Sequence, residues 1–349
     1  MSKSTLAVIA AASAGAGAAV TAAMYSLRSQ TPPERKLDKT VTTTTTTTTS
    51  SATAPIPIPS KQIFTPPNQQ QTALSTSAPA AVDPAGLFEY GFPGPVSDIA
   101  TRQALISSFD RRTRNPHWVV EHITPASLAQ REGDRKHSTF LEDEAVPEKF
   151  RARLKDYFRS GYDRGHQVPA ADARWAQGAM DETFYLTNMC PQVGEGFNRD
   201  YWAHVEDFCR RLTTKYPSVR IVTGPLYLPK RDPADNKWYV RYEVIGNPPS
   251  VAVPTHFYKV IFAEDGAGTG TGNVAIGAFV LPNAPIPNEK PLSDFEVPIE
   301  AVERASGLEF ASKLPPQRRR RLCADNSCSL VIREYADRQK AFAKPAKGK

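Results

Sequence analysis

Tyr162-Asp163-Arg164-Gly165-His166-Gln167-Val168-Pro169 is the stretch around which the fold is organised. Histidine has an unperturbed pKa suited to moving protons near neutral pH, and arginine offers a planar, permanent charge for phosphate or carboxylate. Glycine lets the backbone approach a partner closely. The stretch alone is equally compatible with a surface turn closed by an ordinary salt bridge, so the surrounding sequence must decide.

An asparagine lies downstream of this stretch, at the start of an amphipathic segment. Apolar residues recur with helical period between Arg199 and Tyr216, which predicts a helix with Asn198 as its N-cap. The intervening residues can form a hairpin that brings His166 and Asn198 together. An amide oxygen suits Mg²⁺, which keeps several waters and needs only one or two protein ligands. The pair therefore predicts a metal site beside a histidine.

These side chains match the needs of metal-assisted phosphodiester hydrolysis. His166 is expected to remove a proton from the attacking water, while the metal stabilises the departing oxygen. Arg164 is expected to hold the scissile phosphate or stabilise its developing charge. Glu206, one turn after Trp202, is expected to orient a water of the metal.

Several separated motifs, in this order, resemble the DNA/RNA non-specific endonucleases, and more narrowly the fungal form of the mitochondrial endonuclease G branch. The likeness covers roughly residues 86–312. The motifs are Tyr-Asp-Arg-Gly-His at 162–166, Asp-Glu-Thr-Phe-Tyr-Leu-Thr-Asn at 181–188, Pro-Gln at 191–192, Phe-Asn-Arg-Asp-Tyr-Trp-Ala-His-Val-Glu at 197–206, Val-Thr-Gly-Pro-Leu-Tyr at 222–227, Val-Pro-Thr-His-Phe-Tyr-Lys-Val at 253–260 and Pro-Ile-Glu-Ala-Val-Glu-Arg-Ala-Ser-Gly-Leu at 298–308.

The resemblance implies a fold, an activity and partners. The fold is the ββα-metal (His-Me finger) nuclease, an α+β architecture with a central, mainly antiparallel sheet flanked by helices. The implied activity is sugar-non-specific cleavage of DNA and RNA, single- or double-stranded, to 5′-phosphate ends, with Mg²⁺ or Mn²⁺. It also implies a homodimer in mitochondria, at the inner membrane or in the intermembrane space, with relocation to the nucleus as an extension.

The family's catalytic roles carry over one residue at a time. His166 takes the place of the general base, and Asn198 that of the single protein ligand to the metal. Glu206 matches the acidic position of the metal's water shell. Arg135 is assigned to the upstream transition-state arginine, in a region that aligns poorly with the family.

The substrate side of the site is carried over in the same way. Arg164 and Asn188 match positions at the phosphate site, and Asp163, beside Arg164, is grouped with them as a substrate-binding residue. In the surrounding chain, residues 183–187 are predicted to form a strand. His204 falls off the apolar face of the helix, which favours a surface position.

The charge of the chain is unevenly distributed and divides it into four parts. The net charge is +7, yet residues 86–312 carry 26 basic and 30 acidic side chains. We assign residues 1–28 to a targeting segment, 29–85 to a Thr/Pro/Gln-rich linker too polar to fold, 86–312 to the nuclease domain and 313–349 to a basic tail. Global charge therefore does not identify the ligand, and the placement of individual arginines must.

Residues 5–27 lack any charged side chain and are long enough to cross a bilayer. A secretory signal peptide, a mitochondrial presequence and a signal anchor compete here. A poor cleavage site argues against the first, and the lack of arginine argues against the second. A signal anchor, processed or not after import, fits the composition best and predicts association with the inner membrane.

The end of the chain leaves alternatives open. The run of four arginines at 318–321 is predicted to be a solvated, weakly ordered end, with a contact to phosphate or anionic lipid as the alternative. Cys323 and Cys328 enclose four residues and can close a small local disulfide in an oxidising compartment. The competing function is a catalytically inactive protein that binds nucleic acid or membranes on the same fold.

Overall fold

A seven-stranded sheet forms the centre of the protein in this computed structural model, which describes residues 97–266 and 272–332. Neighbouring strands of the sheet are antiparallel, except for the last pair, which is parallel. In spatial order the strands are β1 (Ser97–Thr101), β2 (Leu105–Asp110), β3 (Asn115–Ile123), β6 (Ser218–Leu226), β11 (His256–Glu264), β12 (Val274–Pro282) and β13 (Arg319–Arg321).

Shorter strands and helices surround this sheet. Three antiparallel pairs lie outside it: β4 (Asp163–His166) with β5 (Met189–Gln192), β7 (Lys230–Arg231) with β8 (Trp238–Tyr239), and β9 (Val244–Ile245) with β10 (Val251–Ala252). The α-helices are α1 (Pro125–Ala129), α2 (Leu154–Tyr157), α3 (Gln177–Glu182), α4 (Tyr201–Leu212), α5 (Ile299–Ser306) and α6 (Leu322–Asp325). This α+β architecture agrees with the fold class that the sequence resemblance implies.

Helix α4 supplies most of the apolar packing on one face of the sheet. Its periodic apolar residues are buried, as predicted, with Trp202 against Phe257 of β11 at 5.6 Å between ring centroids. Arg210 and Arg211 in its last turn complement the negative end of the helix dipole. Helix α4 is therefore held against one face of the sheet. The turn that precedes it sets the position of its amino-terminal end.

The opposite face of the sheet is covered by α5. Side chains alternate along β11, so Phe257 and Ile261 join the core under α4, while Tyr258 and Val260 join a second core with Val302 of α5. Helix α5 ends at Gly307, whose φ of 73° is the left-handed conformation usual at a helix carboxyl end.

The predicted strand at residues 183–187 is wrong. Thr183 donates both its backbone N–H and its hydroxyl to the Met180 carbonyl, at 3.0 and 2.7 Å, which continues the turn of α3. A 3-10 turn follows at Leu186–Asn188, and the extended segment begins only at Met189. Local hydrogen bonds therefore override the β-branched and aromatic composition of this segment.

The arginine run is an ordered strand rather than the weakly ordered end that the sequence predicts, although Arg320 and Arg321 are exposed as expected. Arg319–Arg321 forms β13 and pairs in parallel with residues 274–276 of β12. The Arg319 guanidinium donates to the Ala311 and Leu314 carbonyls, both at 2.7 Å. The described structure therefore includes strand β13 beyond the predicted boundary at residue 312.

A local disulfide joins Cys323 and Cys328, as the spacing allowed, and both cysteines pack on the core under α4. The targeting segment 1–28, the linker 29–85 and the predicted domain start at Gly86 lie outside the described residues. Within residues 97–266 and 272–332, no helix combines the length and the apolar character needed to span a membrane.

Candidate active site

The hairpin of β4 and β5 carries the central histidine, and its register explains the glycine beside it. Gly165 lies opposite Cys190, and His166 lies opposite Met189. A Cβ atom on residue 165 would lie 1.9 Å from Gln192 Oε1. Because the Gln192 side chain occupies that space, only glycine fits between the arginine and the histidine.

His166 is buried against two aromatic rings at the end of β4. Phe184 meets its ring edge-on at 4.8 Å between centroids, and Phe140 lies at 5.6 Å. Burial, and then the charges of Arg135 and Arg164, hold the pKa of His166 well below its usual 6.5. Its Nε2 atom is buried with no hydrogen-bond partner among the described residues. The ring is therefore neutral at neutral pH and able to accept a proton.

Asn188 fixes the backbone that follows His166. Its Oδ1 accepts from the Val168 N–H at 3.0 Å, and its Nδ2 donates to the Val168 and Thr183 carbonyls at 3.0 and 2.8 Å. The sequence assigned this residue to the phosphate site. Because the side chain is fully buried and its amide is engaged with the backbone, the structure favours a positioning role instead.

Asn198 lies in the turn before α4. The sequence predicted Asn198 as the N-cap of this helix, and that prediction is wrong. Helix α4 begins at Tyr201, and Asp200 occupies the cap position. The turn at 194–198 includes Gly196 with φ 76°, and the Asn198 N–H donates to the Val193 carbonyl at 2.9 Å. The Asn198 Nδ2 donates to Asp163 Oδ2 at 2.8 Å, which fixes the amide so that Oδ1 is its acceptor atom.

Asp163 orients Asn198 and is itself paired with a cation. The Arg199 guanidinium donates to both carboxylate oxygens of Asp163, at 2.8 and 2.5 Å. A carboxylate in this position repels phosphate, so the predicted direct contact of Asp163 with the substrate is disfavoured. The geometry instead links β4 to the turn before α4 through one hydrogen-bonded carboxylate.

The charges of two arginines act on the histidine. The Arg164 guanidinium lies 4.1 Å from the centroid of the Phe140 ring, and that of Arg135 lies 5.4 Å from the Phe184 ring. Arg135 begins a 3-10 turn capped by Asp134, whose carboxylate accepts the Lys136 N–H at 3.0 Å. The two aromatic rings that bury His166 therefore also make cation–π contacts with the two guanidinium groups.

Glu206 projects from α4 into the same region. Burial raises the pKa of Glu206 to about 7, although the charges of Lys259 and Arg210 act in the opposite direction. A carboxyl group with a pKa near 7 can take or release a proton at neutral pH.

Buried charged residues beneath Glu206 were missed by the sequence reasoning. Lys259 of β11 donates to Thr223 Oγ1 at 2.8 Å and lies 4.9 Å above the Trp202 ring. Arg210 pairs with Asp172 at 2.8 Å. The signal that could have found Lys259 is a single charge inside an otherwise apolar strand pattern.

Glu121 of β3 completes this buried group. Burial, and then the charge of Asp172, raise the pKa of Glu121 well above its usual range, which favours its protonated form. The Asp172 Oδ2 atom is buried without a conventional donor among the described residues. A protonated Glu121 supplies that donor, and the two carboxyl groups then share one proton.

Several of the candidate site residues line a cleft of about 760 Å³. His166, Asn198 and Glu206 line it, and so does His204, which is only 1% exposed rather than on the surface as predicted. The cations that line it are Arg131, Arg135, Arg159, Arg164, Arg174, Arg199, Arg210 and Arg211. A cleft with this excess of guanidinium groups suits a polyanion.

The donor set also fits a hard cation held by few protein atoms. No group of three or more histidine, cysteine, aspartate or glutamate side chains in residues 97–266 and 272–332 is arranged to hold a metal ion. The oriented carbonyl oxygen of Asn198, facing a cleft open to water, is the ligand type that Mg²⁺ accepts while keeping its waters.

Comparison with known proteins agrees with this geometry. The model of the DNA/RNA non-specific endonuclease family matches residues 83–317. The chain belongs to this family. The resemblance that the sequence motifs suggested is therefore confirmed, and the chain is an endonuclease that hydrolyses nucleic-acid phosphodiester bonds, which sets aside the non-catalytic alternative.

Individual relatives narrow the relationship. The mitochondrial nuclease of Saccharomyces cerevisiae is 62% identical over 273 residues, which cover 78% of this chain and 83% of the relative. Human mitochondrial endonuclease G is 46% identical over 228 residues, covering 65% and 74% respectively. The endonuclease belongs to the endonuclease G branch in its fungal form.

A solved structure supports the ββα-metal fold. The crystal structure of the EndoG/EndoGI complex, described as showing the mechanism of EndoG inhibition, superposes with a TM-score of 0.61 at 44% identity. The match covers 71% of this chain and all of that one. Metal dependence is the norm for this family.

Proposed function

We propose that the protein is a Mg²⁺-dependent, sugar-non-specific endonuclease that cleaves DNA and RNA to 5′-phosphate ends. The observation that carries the proposal is a neutral, buried His166 whose Nε2 lacks a protein partner, on the wall of a guanidinium-lined cleft that also contains Asn198. A histidine kept neutral by burial and adjacent cations is suited to removing a proton, a feature that binding alone does not require.

Each side chain of the site has its own part in this reaction. His166 removes the proton from the attacking water, and the Phe140 and Phe184 rings exclude other solvent from its ring. Asn198 Oδ1 would hold the cation, and the hydrogen bond from Nδ2 to Asp163 orients the amide for that role. When bound, Mg²⁺ supplies charge neutralisation for the phosphate and for the departing oxygen.

The remaining residues handle charge and water. Arg164 and Arg135 hold the phosphate and stabilise the negative charge that develops on it. Glu206 accepts hydrogen bonds from water in the cleft. Asn188 and Asp163 position the two strands and the turn that present these groups, rather than touching the substrate.

The proposal is tested on supercoiled plasmid with purified protein, in Mg²⁺ or in EDTA. His166→Ala is expected to reduce cleavage at least ~10²-fold, because a general base contributes that much. His122→Ala is the matched control: His122 is exposed on β3, its ring bonds to Ser218 Oγ, and its loss should leave cleavage unchanged. Cleavage by His166→Ala at the wild-type rate would remove the general-base assignment.

The cation assignment has its own readout. Asn198→Ala should shift the Mg²⁺ concentration needed for half-maximal cleavage to higher values, whereas Asn198→Asp should retain a hard oxygen ligand. An unchanged Mg²⁺ dependence in Asn198→Ala contradicts the ligand assignment. End chemistry is checked on the products: 5′-phosphate ends are joined directly by DNA ligase, and 5′-hydroxyl ends are not.

We also propose a mitochondrial location, association of residues 5–27 with the inner membrane, relocation to the nucleus and a homodimer. The names of the yeast and human relatives support the location. Carbonate extraction of mitochondria tests the membrane association, because a fully released protein contradicts an anchor. Imaging of a tagged chain before and after release from mitochondria tests relocation, and sedimentation equilibrium tests the dimer.

A further inference from the structure

The turn between α2 and β4 presents an aromatic ring to solvent at the edge of the cleft. Phe158 is 72% exposed, the highest value for any large apolar side chain in residues 97–266 and 272–332. Leu154, 37% exposed on α2, lies on the same edge, and both side chains line the cleft. Exposure of this much apolar surface costs free energy, so its position beside the active site calls for a ligand.

Hydrogen bonds fix the backbone of this turn. Ser160 Oγ donates to the Tyr157 carbonyl at 3.0 Å and accepts the Tyr162 N–H at 3.2 Å. Arg159 adopts φ 54°, the left-handed region that residues other than glycine rarely occupy. Such a conformation persists only where surrounding contacts enforce it, and it is found preferentially at functional sites.

The charge around the ring identifies the kind of ligand. The Arg159 guanidinium lies 5.1 Å from the Phe158 ring, and Arg159 and Arg164 both line the cleft. Phosphates bound by these cations carry their bases to the edge of the cleft. An exposed ring beside a guanidinium group, at the edge of a basic cleft, is an arrangement on which proteins stack unpaired bases.

We propose that Phe158 is the platform of a base-stacking subsite, which binds the nucleobase of a nucleotide adjoining the scissile phosphate in single-stranded DNA or RNA. The proposal deepens the nuclease function proposed above and rests on it. Within a duplex the base faces are occupied by neighbouring bases, so the subsite favours unpaired substrates.

The test maps cleavage of an end-labelled single-stranded oligonucleotide that carries one abasic nucleotide, with Mg²⁺. In the wild-type protein, one phosphodiester at a fixed distance from the abasic position should be cleaved about 5- to 100-fold less than the same bond in the intact oligonucleotide. This is the factor in binding that corresponds to the stacking free energy of one base. The other bonds in the same lane are the internal reference.

Variants at the ring separate stacking from apolar packing. Phe158→Ala and Phe158→Leu should cut the intact oligonucleotide less well, and should lose the dip beside the abasic position. Phe158→Trp should retain both. Cleavage of duplex plasmid should remain within about 2-fold of wild type in all three, because the ring does not face a paired base.

The outcomes decide the proposal separately from the nuclease function. A wild-type protein that cuts every bond equally around the abasic position overturns the subsite, as does a dip that persists in Phe158→Ala. A Phe158→Leu variant identical to wild type overturns stacking, because leucine keeps apolar area without a ring. Absence of any Mg²⁺-dependent cleavage by the wild type instead contradicts the proposed function itself.

Discussion

On β11, Lys259 faces Trp202 of α4, while its neighbour Val260 packs with Val302 of α5 on the other side of the sheet. The α5 face is apolar throughout its core. The α4 face contains Lys259 and Glu121, both nearly inaccessible to water. Burying an ionisable group is costly unless it is paired or neutral, so the apolar α5 face contributes stability at a lower cost in desolvation. The α4 face keeps these groups because they act on the active site beside it: the Lys259 charge lowers the pKa of Glu206.

Lys259→Met should produce the largest effect of the changes that probe this contrast. Methionine keeps the length of the side chain but removes the cation, which leaves Thr223 and the nearby carboxyl groups without it. We expect unfolding free energy to fall by about 3–5 kcal/mol, measured by urea denaturation. Lys259 also lowers the pKa of Glu206, so that pKa should rise further in the variant. Unchanged stability would mean that the buried charge is dispensable.

Glu206→Gln tests the α4 face through the pH dependence of stability. The folded pKa of about 7 lies above the usual 4.5, so the folded state binds more protons between these values. The Glu206 contribution to stability is therefore complete below about pH 4.5, falls as pH rises towards 7, and then stays level. Its size is about 3 kcal/mol, from 1.36 kcal/mol for each pKa unit. Subtracting the Glu206→Gln stability profile from that of wild type isolates this fall, and a flat difference contradicts it.

Val302→Ala probes the apolar face. Val302 is fully buried on α5, and none of the apolar core residues with which it packs lines the cleft. Removing two methyl groups should cost about 2 kcal/mol of unfolding free energy. The rate of plasmid cleavage per folded molecule should not change. A loss of cleavage beyond the unfolded fraction would show that the two faces are coupled.

Arg135→Met should give the smallest of these effects, a shift in the pKa of His166. It tests how the charges around the cleft set that pKa. The Arg135 charge lowers the pKa of His166, so its removal should raise that pKa towards 6.5. The acidic limb of the pH profile of kcat/KM should then move to higher pH. Lys136→Met, an exposed neighbour in the same turn, is the control. A limb that moves to lower pH, or stays in place, contradicts this electrostatic assignment.

The elements that sequence reasoning predicted well are those with local signals. Helix α4 follows from the period of its apolar residues, and a hairpin after His166 was expected from the residues between His166 and Asn198. The contacts that sequence reasoning missed depend on the tertiary fold. Asn188 matches a family position at the phosphate site, yet its amide is engaged with Val168, a contact that no local pattern records.

The buried ionisable side chains illustrate the same limit. Glu121 lies on β3 and Lys259 on β11, strands that are separated in the sheet by β6 and in the chain by more than a hundred residues. Their burial follows from how the strands are ordered, which composition does not encode. The position of His204 off the apolar face of the helix predicts a surface residue. The side chain is instead buried in the wall of the cleft.

Strand β13 has a practical consequence for any shortened form of the protein. It covers part of the free edge of β12, an apolar strand of nine residues, and Leu322 immediately after it is fully buried. A chain cut at residue 317, where the family match ends, would expose that edge as a template for pairing with other molecules. Such a fragment should aggregate during expression, whereas one that ends after Cys328 should remain dispersed.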